Sequence, residues 1–343
     1  MPIAAPLPQA IVPYLRSSIS TPSSTHTQTL VTSTLSTPSL WLLLRLAYVS
    51  IYGIEDQGHN QRRRQPSGPV AIGGNSRDGH NLGESEGTNV VIVSFVRDYL
   101  TWCEMGKKLG LDFPALVKAK RLFYVDGLRR GSAPSTPHPT MSPGSQEQGT
   151  TALKSLALND ITATVNQVLR SASSSSTDRA DNRTSSSTVQ RIPAAAATAG
   201  PRPPTATSVS SSAPTVILDG LDFVLASQPS TTPLSLNALV SAVRLQSLAT
   251  IVTAQADSPL LHNAMSPLET DHAHLVTSLA HQSDWVLQLR GLDTGSANDV
   301  SGVVRASRGG QSEDQPSDLA DGEWLYHIKG DGTVRVWGRG ELN

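Results

Sequence analysis

The run NVVIVSF at residues 89–95 decides the fold class. Its apolar residues follow one another without alternation, which is typical of a strand in a parallel sheet that is covered on both faces. Four other runs predict strands of the same sheet, at residues 30–32, 121–125, 215–218 and 250–253. The fold is therefore expected to be built on a buried sheet of parallel strands.

Helical patterns separate these strands along the chain. The clearest is 235–245, in which Leu236, Leu239, Val240 and Val243 fall at positions i, i+3, i+4 and i+7. The other predicted helices span residues 38–52, 98–109, 151–170 and 271–281. Strands that alternate with helices predict a parallel α/β sheet with right-handed crossovers.

The end of the chain has a different pattern. Four predicted strands follow one another without a helix between them, at residues 285–289, 300–307, 324–328 and 333–337. The turn KGDG at 329–332 joins the last two as a hairpin, so the four indicate an antiparallel meander. A parallel sheet with flanking helices and a C-terminal antiparallel meander is the architecture of RecA-like ATPase domains.

Low-complexity segments interrupt this pattern. The chain has 343 residues, of which only 16% are charged and 4% aromatic, so much of its length is poor material for a core. Four predicted insertions hold too few large apolar residues to offset the entropy of ordering them, namely 53–88, 131–150, 171–214 and 307–321. We expect residues 1–27 to be a poorly ordered N-terminus and residues 28–343 to form a single RecA-like domain.

Charge and composition exclude several classes of protein. The net charge of −1 is not that of a general polyanion binder. The single cysteine, Cys103, excludes an intramolecular disulfide framework and a cysteine-rich zinc module. We expect no secretory signal, because the N-terminus lacks a basic stretch followed by an apolar one. The apolar segment 40–54 carries Arg45 and is shorter than the roughly 20 residues of a membrane span, so we expect a buried helix and no membrane partner.

A phosphate-binding loop is missing where a RecA-like ATPase carries one. The loop GxxxxGK[ST] belongs between the first strand and the first helix, where this chain has STLSTP at residues 33–38. Without glycine the turn cannot wrap its amides closely around a phosphate, and without lysine no ammonium reaches the phosphate oxygens. The motif occurs nowhere else in the chain. The sequence therefore predicts a domain without a Walker A loop, with no catalytic residue, no cofactor and no metal.

Asp219 leaves two interpretations open. It ends the apolar run VILD at 216–219, which resembles a Walker B strand whose acid holds Mg²⁺ through water. A carboxylate at the end of a parallel strand also often caps the turn that follows, and without a phosphate loop we prefer such a capping or structural role. His272, His274 and His281 lack the spacing of a zinc site, and we expect them to be exposed to solvent.

Arginines near predicted strand ends also have two interpretations. Arg305 and Arg335 are candidates for contact with RNA phosphates. The alternative is ordinary solvated charge in a nearly neutral protein.

Three stretches of the chain carry a recognisable pattern. The first two are VIVSFVRD at 91–98 and RLFYVDGL at 121–128, and the third, DWVLQLRGLDTGSANDVSG at 284–302, is the most specific. Together they resemble the family of the sixth subunit of the Elongator complex. We expect the pattern to serve structure or interfaces rather than catalysis. The positions concerned are Ser94, Arg97, Asp98, Asp126, Gly127, Asp219, Thr294, Gly295, Asp299, Val300, Ser301 and Gly302.

The resemblance implies a fold and a role. Members of this family have a RecA-like fold without a Walker A motif and form a hetero-hexameric ring with the fourth and fifth Elongator subunits, two copies of each. The ring supports tRNA binding and docks on the catalytic part of Elongator, which modifies the wobble uridine of certain tRNAs. The chain would then be a pseudo-ATPase whose catalysis lies in another subunit. The implied location is the cytoplasm, with the nucleus left open.

Two other functions stay open from the residues alone. The first is a RecA-like ATPase with an atypical phosphate site in which Asp219 is the metal carboxylate, and the absent phosphate loop disfavours it. The second is a stand-alone RNA-binding module, which the nearly neutral charge disfavours.

Overall fold

The structure of the chain is a computed structural model. It describes residues 7–19, 26–53, 87–130, 150–184, 213–262, 264–292, 295, 299–312 and 319–340. The interiors of the four predicted insertions, at 54–86, 131–149, 185–212 and 313–318, lie outside the described residues.

The strands are β1 (Thr27–Ser33), β2 (Val90–Ser94), β3 (Leu122–Arg130), β4 (Thr150–Leu153), β5 (Thr215–Asp219), β6 (Ala249–Gln255), β7 (Trp285–Arg290), β8 (Gly302–Arg308), β9 (Gly322–Ile328) and β10 (Val334–Gly338). Within the described residues they form one sheet in the order β10-β9-β8-β7-β1-β6-β5-β2-β3-β4. The pairs from β7 to β4 are parallel, whereas β7 to β10 pair antiparallel. The predicted α/β class, with a mostly parallel sheet and a C-terminal meander, is confirmed.

The helices are α1 (Val12–Ser17), α2 (Leu40–Tyr52), α3 (Tyr99–Lys108), α4 (Phe113–Lys118), α5 (Leu158–Thr184), α6 (Leu221–Ser227), α7 (Pro233–Arg244), α8 (Ser258–His262) and α9 (Pro267–Gln282). They cover both faces of the sheet. One apolar core lies under α1 to α4 and the other under α5, α6, α7 and α9. Of the helices described, none combines the length and apolar character that crossing a bilayer requires.

Helix α2 is the buried helix that the apolar segment predicts. It begins at Leu40, two residues later than expected, with Ser39 as its N-cap residue. Arg45 on this helix is fully buried, and burial lowers the pKa of its guanidinium. The helix thus belongs to the core, in agreement with its length.

The N-terminus departs from the sequence prediction. Residues 7–19 include a 3₁₀ turn and α1, and Leu15 is fully buried. The Tyr14 hydroxyl donates to the Ala320 carbonyl oxygen at 2.7 Å, and the Tyr14 ring packs edge-on against Trp285 with 5.4 Å between centroids. The prediction of poor order from residue 1 to 27 is therefore wrong for this stretch, because a few apolar side chains dock it on the meander.

The segment 150–184 also departs from the prediction. Residues 151–153 belong to strand β4 on the edge of the sheet rather than to a helix, and α5 runs well into the predicted insertion 171–214. The Asn89 side-chain amide donates to the Ala172 carbonyl at 2.8 Å and to the Ser175 and Ser176 hydroxyls at 2.9 and 2.7 Å. This tertiary anchor orders a serine run that composition marks as loop.

The predicted insertion 307–321 is shorter than expected. Its first residues complete β8, and Gly310–Ser312 form a 3₁₀ turn. The Gly309 amide donates to the Asp284 carbonyl oxygen at 2.9 Å, which ties this turn to the start of β7.

Candidate functional site

The carboxyl ends of the central parallel strands meet at one edge of the sheet, and several sequence-predicted residues lie there. Ser94 ends β2 and Asp219 ends β5, and the two residues are direct partners in the strand register. Arg97 follows β2 by three residues and reaches back over this pair. In open α/β sheets this edge is where ligands bind, so we treat it as the candidate functional site.

The Asp219 carboxylate is fully buried, and both its oxygens are occupied. Ser94 Oγ donates to Oδ2 at 2.8 Å, Thr253 Oγ1 donates to Oδ1 at 3.2 Å, and the Arg97 guanidinium forms an ion pair with Oδ1. The guanidinium supplies the positive charge that a Walker B acid would draw from a metal ion. In the turn after β5, the Gly220 amide donates to Thr253 Oγ1 at 2.7 Å, so Thr253 links this amide to the carboxylate.

Arg97 is held on several sides. Its backbone amide donates to Ser94 Oγ at 3.1 Å, and Nη2 donates to Ser39 Oγ at 3.3 Å. The Tyr124 hydroxyl donates to the Arg97 carbonyl oxygen at 2.7 Å, and burial raises the pKa of this phenol. The side chain is only 18% exposed. The ion pair is therefore fixed by the end of β2, the start of α2 and β3 together.

The loop after β1 makes its own hydrogen bonds. The Thr34 amide donates to Thr37 Oγ1 at 3.2 Å, and the Thr37 amide donates to the Thr34 carbonyl oxygen at 3.0 Å. The Leu35 amide donates to the Asp257 carboxylate, at 3.2 and 3.3 Å from its two oxygens. An acidic side chain thus lies against the loop after β1, and its charge would repel a phosphate brought to that loop.

A cavity of about 410 Å³ opens beside this network. Asp222 and Glu269 contribute carboxylates to its lining, and Val96, Phe223 and Leu268 contribute apolar surface. Asp222 accepts the Gln255 amide at 3.0 Å. Burial raises the pKa of this carboxyl, while the Gln255 hydrogen bond opposes the shift. The cavity is also lined by Arg97 and His272 and by hydroxyl and amide side chains, so its lining mixes apolar, acidic, basic and neutral polar groups.

The histidines of α9 differ from one another. His272 is buried, with Nε2 2.9 Å from the Gln255 carbonyl oxygen, so the expectation that it lies in solvent is wrong. His274 and His281 are exposed, as expected. Among the described residues, no group of His, Cys, Asp or Glu side chains is arranged to hold a metal ion.

Three further residues of the family pattern shape the same edge. Asp98 is the N-cap of α3 and accepts the Thr101 amide at 3.0 Å. Asp126 accepts the Leu128 amide at 2.9 Å, where the register of β3 with β4 shifts. A Cβ on Gly127 would lie 2.7 Å from the Ser94 carbonyl oxygen. Only glycine therefore allows β3 to lie this close to the end of β2.

The third stretch of the pattern joins β7 to β8. The Ser301 amide donates to the Tyr326 carbonyl oxygen at 2.8 Å, and Ser301 Oγ accepts the Ile328 amide at 2.9 Å. A Cβ on Gly302 would lie 2.8 Å from the Tyr326 hydroxyl oxygen. These two residues therefore fix β8 against β9.

The remaining positions of this stretch lie in the turn before them. Gly295 has a φ of +97°, a conformation that favours glycine. Asp299 is exposed and Val300 half-buried. Thr294 lies outside the described residues.

Arg305 and Arg335 lie away from the carboxyl edge. They stand on β8 and β10, and both side chains are exposed. Residues of the site that the sequence analysis did not single out are Ser39, Thr253, Asp222 and Asp257. Thr253 and Asp222 follow apolar strands as Asp219 does, a signal that could have found them. Asp257 carries no such signal, because its role depends on how the β6–α8 loop approaches the loop after β1.

Comparison with known proteins gives one result. The family model described as Elongation complex protein 6 matches residues 85–329, more than half of the chain. The matched span includes Ser94, Arg97, Asp219 and the stretch 284–302. No curated protein matches the chain.

Proposed function

We propose a non-catalytic role for this chain, which belongs to the Elongation complex protein 6 family and is thus a subunit of the Elongator complex, associated with its other subunits. In this proposal it forms a hetero-hexameric RecA-like ring with the fourth and fifth Elongator subunits. The ring docks on the catalytic subcomplex and supports tRNA binding and wobble-uridine modification in the cytoplasm.

The observation that supports the non-catalytic role is that the polar groups at the carboxyl edge are engaged by the chain's own side chains. Arg97 neutralises Asp219, which a Walker B mechanism would need for Mg²⁺. Asp257 takes the Leu35 amide of the loop that a phosphate would need. The carboxyl edge has the strand arrangement of a ligand site in an α/β sheet, but its polar side chains bind other groups of the chain itself.

The ring is supported by apolar side chains that surround this edge. Val96, Phe223 and Leu268 are 41%, 38% and 46% exposed, and Leu35 and Met265 are 89% and 92% exposed. Large apolar side chains gathered around one site mark a protein interaction surface. A neighbouring subunit that packs on this edge would cover them.

The test is co-expression of the full chain with the fourth and fifth Elongator subunits from the same source, followed by light scattering of the purified species. We expect one particle with the mass of two copies of each subunit. A chain that stays monomeric while its partners assemble without it would overturn the proposal. A matched pair of variants, Phe223→Asp on this edge and Leu245→Asp at the exposed end of α7, tests the edge itself, and only the first should block assembly.

The alternative ATPase makes the opposite prediction. It requires the isolated chain to turn over nucleotide and Asp219→Ala to abolish that turnover. The stand-alone RNA-binding module requires no partner at all and is tested by the same co-expression.

A further inference from the structure

The meander has one face that lies outside both cores. Neighbouring residues of a strand point to opposite faces, and Val304, Tyr326 and Val334 point into the core under α1 and α2. Leu325 and Trp337 point the other way, are half-buried, and belong to neither core cluster. We call this side the meander face, defined by Arg290, Arg305, Glu323, Leu325, His327, Arg335, Trp337 and Arg339.

The register arranges the meander face in rows. Trp337, Leu325 and Val303 are cross-strand partners in a row that ends at Arg290, and of these three Val303 is fully buried while Trp337 and Leu325 are half-buried. On one side of that row lie Arg335 and its partner His327. On the other side Arg305 is the partner of Glu323. Rows on one face are about 7 Å apart and neighbouring strands about 5 Å apart, so Trp337 and Leu325 lie between the row that holds Arg335 and the row that holds Arg305.

The charge of this face is opposite to that of the whole chain. Four arginines less one glutamate give the meander face a net charge of +3, whereas the chain carries −1. Glu323 is already shared by Arg290 at 3.2 Å and Arg339 at 2.8 Å. In the hairpin between β9 and β10, the negative charge of Asp331 balances the positive charge of Lys329. Within the described part of the chain, neither Arg305 nor Arg335 has an ion-pair partner.

Single-stranded nucleic acid fits this combination. Unstacked bases stack on ring side chains displayed by a sheet, and arginines beside them hold the phosphates. An acidic peptide would use the arginines but not the ring between them. A partner subunit would be expected to cover a more apolar surface, such as the carboxyl edge.

We propose that the meander face binds a single-stranded RNA segment, with a base on Trp337 and phosphates on Arg305 and Arg335. This inference deepens the proposed function. It rests on that function only for the choice of RNA, rather than DNA, as the single strand that binds. Phosphates that bind arginine and bases that stack on a ring are common to single-stranded RNA and DNA. The residues lie on one rigid sheet, so binding needs no rearrangement of the fold.

The experiment measures the affinity of the full chain for a fluorescent 12-nucleotide single-stranded RNA, and for DNA of the same sequence, between 50 and 300 mM salt. We expect Arg305→Gln with Arg335→Gln to weaken binding at least tenfold at low salt. The slope of log affinity against log salt should fall by about 1.4 units, since each phosphate contact on a single strand contributes about 0.7. Trp337→Leu, which keeps an apolar side chain, should weaken binding about tenfold.

The control is Lys154→Gln with Arg170→Gln, which removes two exposed basic side chains elsewhere. It should leave both affinity and slope unchanged. Equal loss in the control, or no RNA binding by the unaltered chain, would overturn the inference. Equal binding of the DNA strand would support the surface without a preference for RNA.

The assembly assay separates this inference from the proposed function. If the Arg305→Gln and Arg335→Gln chain fails to join the ring yet binds RNA normally, the meander face is a protein interface and the inference is wrong. If the unaltered chain never joins a ring but binds RNA through these arginines, the proposed function is wrong and the inference stands.

Discussion

Arg97 and Arg305 belong to the same sheet, and their surroundings differ in every respect that matters for function. Arg97 is 18% exposed and ion-paired with a carboxylate that has no exposure at all. Arg305 is exposed, and in the described residues its side chain has no ion-pair partner. The first arginine is committed to the fold, whereas the second is available to a ligand. In the described residues, the arginine at the carboxyl edge is therefore held by a buried ion pair, whereas Arg305 on the meander face is exposed and has none.

Removing the first arginine gives the largest expected effect. Arg97→Met leaves the buried Asp219 carboxylate without a countercharge, which should lower the free energy of unfolding by about 3–5 kcal/mol. Arg305→Met, the matched control on the meander face, should change it by less than about 0.5 kcal/mol. Urea unfolding followed by tryptophan fluorescence measures both. Equal stability of the two variants would remove the distinction between the two regions.

Two glycines test close packing in both regions. Alanine at Gly127 would place its Cβ 2.7 Å from the Ser94 carbonyl oxygen, and alanine at Gly302 would place it 2.8 Å from the Arg290 carbonyl oxygen. We expect each variant to lose about 1–3 kcal/mol of unfolding free energy. Gly330→Ala is the control, since nothing lies within 4 Å of its Cβ. In thermal unfolding, Gly330→Ala should have the melting temperature nearest to that of the parent chain. If Gly127→Ala and Gly302→Ala lie nearer to it instead, the backbone is not closely packed at these two glycines.

Two serines compare hydrogen bonds of the two regions. Ser94→Ala removes a donor to a buried carboxylate, and we expect a loss of about 2 kcal/mol. Ser301→Ala removes the acceptor of the Ile328 amide, and we expect about 1 kcal/mol. Denaturant unfolding of both variants at one pH checks the order. A larger loss for Ser301→Ala would contradict the greater importance of the Asp219 network.

Two surface carboxylates give the smallest effect, and it depends on pH. Hydrogen bonds from Thr101 lower the pKa of Asp98 at the carboxyl edge, and those from Thr333 lower the pKa of Asp331 in the meander turn. A carboxyl whose pKa is lower in the folded state stabilises the fold above its unfolded pKa, near 4. That contribution is lost as the pH falls through the folded value. Asp98→Ala should cost about 1 kcal/mol at pH 7, and its deficit, like that of Asp331→Ala, should shrink below pH 4. A deficit that stays constant down to pH 2 would contradict the assignment.

The fold was predictable where apolar patterns are strong. The runs at 89–95 and 215–218 are strands, and the helix-free end of the chain is a meander. The prediction failed where tertiary contacts outweigh composition. Asn89 holds serines of α5 that composition assigned to a loop, and Tyr14 and Leu15 dock the N-terminal stretch on the meander and the core.

The candidate site was predictable only in part. Ser94 and Arg97 were named through the resemblance to the family, and Asp219 also because it ends an apolar run. Their mutual contacts do not come from the sequence, since strands β2 and β5 are 120 residues apart in the chain and adjacent only in the sheet. Arg305 and Arg335 were named from the sequence, but the row of Trp337 and Leu325 between them depends on the register of three strands.

The most direct test of the central claim is a calorimetric titration of the isolated full chain with ATP and Mg²⁺. Because Arg97 is ion-paired with Asp219 and Asp257 accepts the Leu35 amide, we expect no saturable binding up to millimolar nucleotide, in the parent chain and in Asp219→Ala alike. Saturable binding by the parent chain that Asp219→Ala abolishes would contradict it and establish the carboxyl edge as a working nucleotide site.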